Sequence, residues 1–191
     1  MTVCIRALTV NRLLCCALLL LSTAVRAEEV AGVSMPKTQH VAGKTLQLNG
    51  MGVVKRMVFV KIYVVGLYLQ TPTRDAQTAI ATNEIKRIVI TMRRDVRSEK
   101  FTRELEDSFT RNSGPSMPAL RSRLDRLEHA IPAIKKGDVL EFTYLANSET
   151  VMSCQGRELT IKGKDFADAL LSIWLGSEPV SGGLKRKLLG Q

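Results

Sequence analysis

The sequence predicts an α+β fold in which a large antiparallel sheet carries its helices on one face. Three observations lead there. A long β-branched and aromatic run spans Val53 to Leu69, two amphipathic helical patterns follow between Arg97 and Ala133, and three short alternating segments then precede a last helix. Strands first, then helices, then a meander is the order of an antiparallel sheet with segregated helices, not of alternating βαβ units.

Each element has its own local reason. Residues 28–44 are polar and punctuated by Gly32, Pro36 and Gly43, which predicts a leading segment with one edge strand. Thr45 to Gly50 alternates toward a turn at Asn49-Gly50, and the run Val53–Leu69, interrupted by Gly66, reads as two strands with a kink. Both parities of that run are apolar, which predicts the sheet's central pair. The Ala- and Thr-rich stretch 75–84 forms a short helix with Asp75 at its N-terminal turn, and Ile85–Met92 is the next strand.

The clearest helix spans Arg97 to Asn112. Phe101, Leu105, Ser108 and Phe109 share one face, Ser98 is the candidate cap, and Asn112-Ser113-Gly114-Pro115 stops it. Pro118 to Ala133 repeats the pattern with Leu120, Leu124, Leu127 and Ile131. Strands are expected at Val139–Leu145, Thr150–Cys154 and Glu158–Ile161, and a helix at Asp165–Leu175 with Phe166, Leu170, Ile173 and Trp174 inward and Gly176 at its end. A basic tail carrying Leu184, Leu188 and Leu189 closes the chain.

The N-terminus has Arg6 and Arg12, an apolar run from Leu13 to Leu21, and the ending Ala24-Val25-Arg26-Ala27. That is the pattern of a secretory signal, so residues 1–27 are expected to be a removed leader and 28–191 a single secreted or periplasmic domain. The apolar core falls short of the roughly 20 residues of a membrane span. Of 28 basic residues the leader takes Arg6, Arg12 and Arg26, leaving 28 − 3 = 25 against 18 acidic ones. The basic surplus is interleaved with acids along the chain and aromatic residues are sparse. A nucleic-acid partner is therefore not expected, while an anionic membrane surface remains a partner class. Cys154 is the one cysteine beyond the leader, so no internal disulfide can form and stability has to come from a packed core.

No zinc spacing, phosphate loop, dinucleotide fingerprint or serine-hydrolase elbow is present, and no cofactor is expected. His40 and His129 lie far apart and read as surface residues, and Cys154 as a buried strand residue. The chemistry-bearing segment is Leu48 to Leu69. There a glycine-marked turn leads to Lys55 and Arg56, and Tyr63 follows in the middle of a buried strand. A guanidinium or ammonium beside a phenol can hold a carboxylate or enolate oxygen, because charge-assisted hydrogen bonds strengthen in an apolar site.

Those residues also carry a resemblance. Asn49-Gly50-Met51-Gly52 followed by Lys61-Ile62-Tyr63-Val64-Val65-Gly66-Leu67-Tyr68-Leu69 is similar to the signature of the chalcone isomerase-like superfamily, and to its secreted bacterial branch in particular. Arg94-Asp95-Val96 with Ser98-Glu99-Lys100, Lys136-Gly137-Asp138, and Gly163-Lys164-Asp165-Phe166 through Leu175-Gly176 match in order, over about Thr45 to Leu189. The resemblance implies an open-faced β-sandwich with a cleft between sheet and helices. It also implies either isomerase chemistry, with an arginine stabilising a phenolate and a tyrosine holding water, or fatty-acid binding.

Departures from the plant enzymes favour binding. The arginine expected after Gly-x-Gly meets Val54, so Lys55 or Arg56 has to take its place. Tyr63 stands where they carry threonine, Arg97 where they carry the catalytic tyrosine, Glu104 for their asparagine, and Ala167 for a substrate-selecting Ser or Thr. The expected function is non-catalytic binding of a small apolar ligand, a fatty acid or aromatic carboxylate, by Arg56, Lys55, Tyr63 and Arg97. The alternatives are an isomerase, or intramolecular lyase, acting on a non-flavonoid enone, and a structural protein whose cleft is filled by its own side chains.

Overall fold

The computed structural model describes residues 27–56 and 59–191. The expected leader thus lies outside the described residues, except for Ala27. A seven-stranded antiparallel sheet runs in sequence order: β3 (Thr38–Val41), β4 (Lys44–Arg56), β5 (Val60–Leu69), β6 (Lys86–Met92), β7 (Val139–Leu145), β8 (Glu149–Cys154) and β9 (Arg157–Lys162). Each strand pairs with its chain neighbour, so β6 is the middle strand and the β4–β5 pair lies off-centre.

Helices α1 (Ala76–Ala81), α2 (Ser98–Ser113), α3 (Met117–Ala130), α4 (Lys164–Leu175) and α5 (Gly182–Leu188) contribute to one large core with one face of the sheet. Phe101, Leu105 and Phe109 of α2, Leu120, Leu124 and Leu127 of α3, and Phe166, Leu170 and Trp174 of α4 are all buried there against Val65, Leu67, Ile88 and Ile90. These are the apolar stripes the 3.6-residue period predicts. Asp75 caps α1, its carboxylate accepting the Thr78 N–H at 2.6 Å. Ser98 makes no such bond: Arg97 occupies the N-cap position of α2, without a side-chain cap hydrogen bond.

Further expectations change. The leading segment holds a two-stranded hairpin, β1 (Ala27–Val30) with β2 (Val33–Pro36), in addition to edge strand β3. Val33 and Met35 from it join Leu46, Met51, Val64, Tyr68 and Val89 in a second core on the opposite face of the sheet. The close approach explains Gly66, where a Cβ would sit 2.5 Å from Met35 Sδ. Gly66 therefore lies inside β5 as a contact point and not as a kink.

Asn49-Gly50 is likewise no turn. Leu48 pairs with Tyr68 and Gly50 with Leu67, so Asn49 is a bulge inside β4. An extra residue reverses which parity faces which side. Leu46 and Leu48 pack with the hairpin core, whereas Gly50, Gly52 and Val54 turn to the helices.

The basic tail is also different from expectation: it is helix α5. Leu184, Leu188 and Leu189 are buried, and the helix backbone lies directly on Gly50, where a Cβ would stand 2.1 Å from the Lys187 carbonyl oxygen. Asn49 fixes this contact: its Nδ2 donates to the carbonyls of Leu188 at 2.7 Å and Thr73 at 2.9 Å, and its Oδ1 accepts from the Thr73 N–H at 2.8 Å. The Asn-Gly-x-Gly string is thus the seat of the C-terminal helix.

Candidate functional site

Between the β4–β5 pair and the helices lies an open cavity of about 260 Å³. Val54 and Tyr63 come from the sheet, Phe101 and Leu105 from α2, Ile173 and Trp174 from α4, and Val180 from the segment after α4. Val54 and Tyr63 are directly paired across the strands, which places both side chains on the helix side. Val180 is held in position by Asn112 at the end of α2. Its Nδ2 donates to the Glu178 carbonyl at 2.9 Å, its Oδ1 accepts the Glu178 N–H at 3.0 Å, and the Val180 N–H reaches the Ile173 carbonyl at 2.9 Å.

The polar groups on this apolar bowl are few. Tyr63 is buried, and its hydroxyl oxygen accepts the Trp174 indole N–H at 3.3 Å. Its own proton has no acceptor among the described residues, so it is free to donate to whatever occupies the bowl. Burial pushes the phenol up to about 12, with the Trp174 hydrogen bond opposing and the negative Glu104 adding a smaller upward push. At neutral pH Tyr63 is therefore a neutral hydrogen-bond donor. The remaining polar wall is one side of α2: Glu104, Asp107, Ser108 and Arg111. Ser108 is buried in the apolar stripe, and its Oγ accepts from Arg111 Nη2 at 2.9 Å. Arg111 forms no ion pair among the described residues.

Glu104 and Asp107 also line a second, shallower depression of about 390 Å³, which makes them the rim between the two. Here Arg56 and Arg97 come together with Glu99, Lys100 and Arg103. Arg56 reaches Glu104 at 3.4 Å, and both side chains are 55% exposed, so the pair adds about 0–1 kcal/mol and mainly orients the rim. Of the four residues singled out from sequence, Tyr63 lines the bowl and Arg56 and Arg97 line the depression beside it. Lys55 is exposed and lines neither.

Ala167, which stands where the plant enzymes carry a substrate-selecting Ser or Thr, borders a separate void of about 10 Å³ with Lys86, Thr150 and Trp174. Arg111 was not anticipated. The signal for it was Ser108, a lone hydroxyl inside an apolar helical stripe with an arginine three positions on.

A sequence profile described as chalcone isomerase-like matches residues 27–190. The chain belongs to the chalcone isomerase-like family. Comparison with curated proteins returns no match. Among solved structures, a fatty-acid binding protein of Arabidopsis thaliana superposes with a TM-score of 0.66 at 13% identity, over 86% of this chain and 96% of that one. The shared property at that identity is the fold.

Proposed function

We propose that this chalcone isomerase-like chain is a non-catalytic binding protein for a small apolar molecule with an oxygen-bearing end. The observation that carries this reading is the bowl itself, whose apolar walls surround a buried tyrosine hydroxyl with an uncommitted proton. Sites of this kind, mostly apolar with a few fixed polar groups, suit small-molecule binding. The ligand's apolar body lies against Phe101, Leu105, Ile173 and Trp174. Its carboxylate or carbonyl oxygen accepts from Tyr63, and Arg111 offers the countercharge at the rim. Arg56 and Arg97 extend positive charge just beyond.

Ligand pockets typically span roughly 300–1,000 Å³, so a bowl of about 260 Å³ favours a short acyl chain or a single aromatic carboxylate over a long fatty acid. The fatty-acid binding relative in fold supports the ligand class, not its length. The isomerase alternative has less support, because it needs Tyr63 to relay a proton near neutrality and burial holds that phenol at about 12. We also read residues 1–27 as a cleaved secretory leader, which makes the mature protein periplasmic or secreted; N-terminal sequencing of the exported chain should begin at Glu28.

The test is native mass spectrometry of the purified protein, followed by titration with carboxylates of increasing chain length. Wild type should retain or bind one molecule. Arg111→Ala and Tyr63→Phe should each weaken binding about 10- to 100-fold, the loss expected for a charge-assisted and a buried hydrogen bond respectively. Arg56→Ala, at the neighbouring depression, should cost less. No adduct and no thermal shift with any carboxylate would sink the reading.

A further inference from the structure

The tip of the β4–β5 hairpin presents Phe59 with 89% of its surface exposed, and the next most exposed large hydrophobic residue among those described is Val139 at 42%. A single exposed apolar residue is ordinary by itself. Phe59, however, is flanked along the chain by exposed cations: Lys55 and Arg56 at the end of β4, and Lys61 just after the start of β5. The first turns of α2 bring Arg97, Lys100 and Arg103 around the same depression as Arg56. Against these six cations stand three carboxylates, Glu99, Glu104 and Asp107, a local surplus of 6 − 3 = 3. Only Arg56 among the six is ion-paired within the described residues.

Protein–protein interfaces deplete lysine around their apolar anchors, and nucleic acid requires more stacking surface than one ring. An exposed aromatic ring beside cations of which all but Arg56 lack an ion-pair partner among the described residues suits the headgroup layer of a bilayer, where rings settle at the interface and cations meet lipid phosphates.

We propose that the β4–β5 tip is a docking element for an anionic lipid surface: Phe59 enters the interfacial layer while Lys55, Arg56 and Lys61 lie against lipid phosphates. The inference does not depend on the bowl being filled. It does give the bowl an orientation, because Arg56 binds Glu104 on the shared rim and docking would turn that rim toward the lipid.

The experiment uses the full chain carrying Phe59→Trp. Trp174 is buried, so a change in emission on adding vesicles reports the tip. Phosphatidylcholine vesicles containing phosphatidylglycerol should shift the emission to the blue, phosphatidylcholine alone should not, and raised salt should reverse the shift. Adding Lys55→Glu and Lys61→Glu should reduce partitioning by well over tenfold, since each surface cation is worth about a fivefold change. The same reversal at Lys44, exposed and at the opposite end of β4 from the tip, should leave most of it intact. An unshifted spectrum with anionic vesicles, or a shift indifferent to Lys55→Glu/Lys61→Glu, overturns the proposal. So does a shift seen without lipid that grows with protein concentration, which would assign Phe59 to contact between copies of the chain.

Discussion

Tyr63 joins the two properties a binding site of this kind needs, an apolar setting and a directed proton. Its position was legible in the sequence because a tyrosine in the middle of a buried strand has to place its hydroxyl somewhere. The period of α4 puts its partner Trp174 on the apolar helix face, but that the two meet depends on how α4 crosses β5, which no local pattern encodes. Arg111 was illegible for a related reason, since an exposed helical arginine gains meaning only once the bowl beside it exists.

The Tyr63 environment predicts an alkaline transition. An ordinary phenol has a pKa near 10 and the folded one is pushed up to about 12, so the folded state holds this proton more tightly than the unfolded chain. The contribution is fully present below pH 10 and is lost as pH rises from 10 to 12. Two units correspond to about 3 kcal/mol. In Tyr63→Phe, denaturant midpoints measured from pH 9 to 12 should fall less steeply than in wild type. Equal slopes would mean that the hydroxyl is solvated in the folded protein.

Among the elements, α2, α3 and α4 were readable because each has one apolar stripe over three or more turns. β4 and α5 were not, and they explain each other. The bulge at Asn49 reverses the parity of β4, so no single alternation runs through it, and Asn49-Gly50 has the local chemistry of a tight turn. Helix α5 has seven residues, two of them glycine, which is too short and too weak a helix former to stand alone. It forms because Gly50 and Gly52 leave room for its backbone and Leu184.

The glycines, then, serve helix docking and not ligand contact, a claim with a mutational consequence. Gly50→Val would drive a side chain into the Lys187 carbonyl and should detach α5, whereas Leu184→Ala should cost about 2–5 kcal/mol while leaving α5 in place. Hydrogen exchange over residues 182–190 separates the two. Rapid exchange in Gly50→Val with protection kept in the sheet is the expected result, and protection unchanged in Gly50→Val would show that the contact is dispensable.

At the scale of the whole molecule, the sheet has two cores of unequal kind. The helix side is large and contains the bowl; the other side is sealed by the β1–β2 hairpin, with Tyr68 donating to the Pro36 carbonyl at 2.8 Å. The sequence made the second face visible as a problem, since both parities of β5 are apolar, but concealed its solution in a polar segment whose hairpin packs Val30 and Ala31 beside two buried residues, Val33 and Met35. A chain begun at Lys37 should therefore keep its helix layer and lose the seal. At roughly 1.5–3 kcal/mol for each buried side chain, removing those two costs about 3–6 kcal/mol, a large part of a typical domain's stability. Tyr68 supplies an independent reading of the same event. Burial holds its phenol at about 12, and without the hairpin it should titrate closer to 10 in a spectrophotometric titration, while Tyr63 stays high. If both tyrosines fall together, the two faces form one cooperative core and the bowl cannot persist without the hairpin. If Tyr68 alone falls, the face that holds the bowl is an autonomous layer, and the truncated chain should give the same result as the intact one in the carboxylate titration.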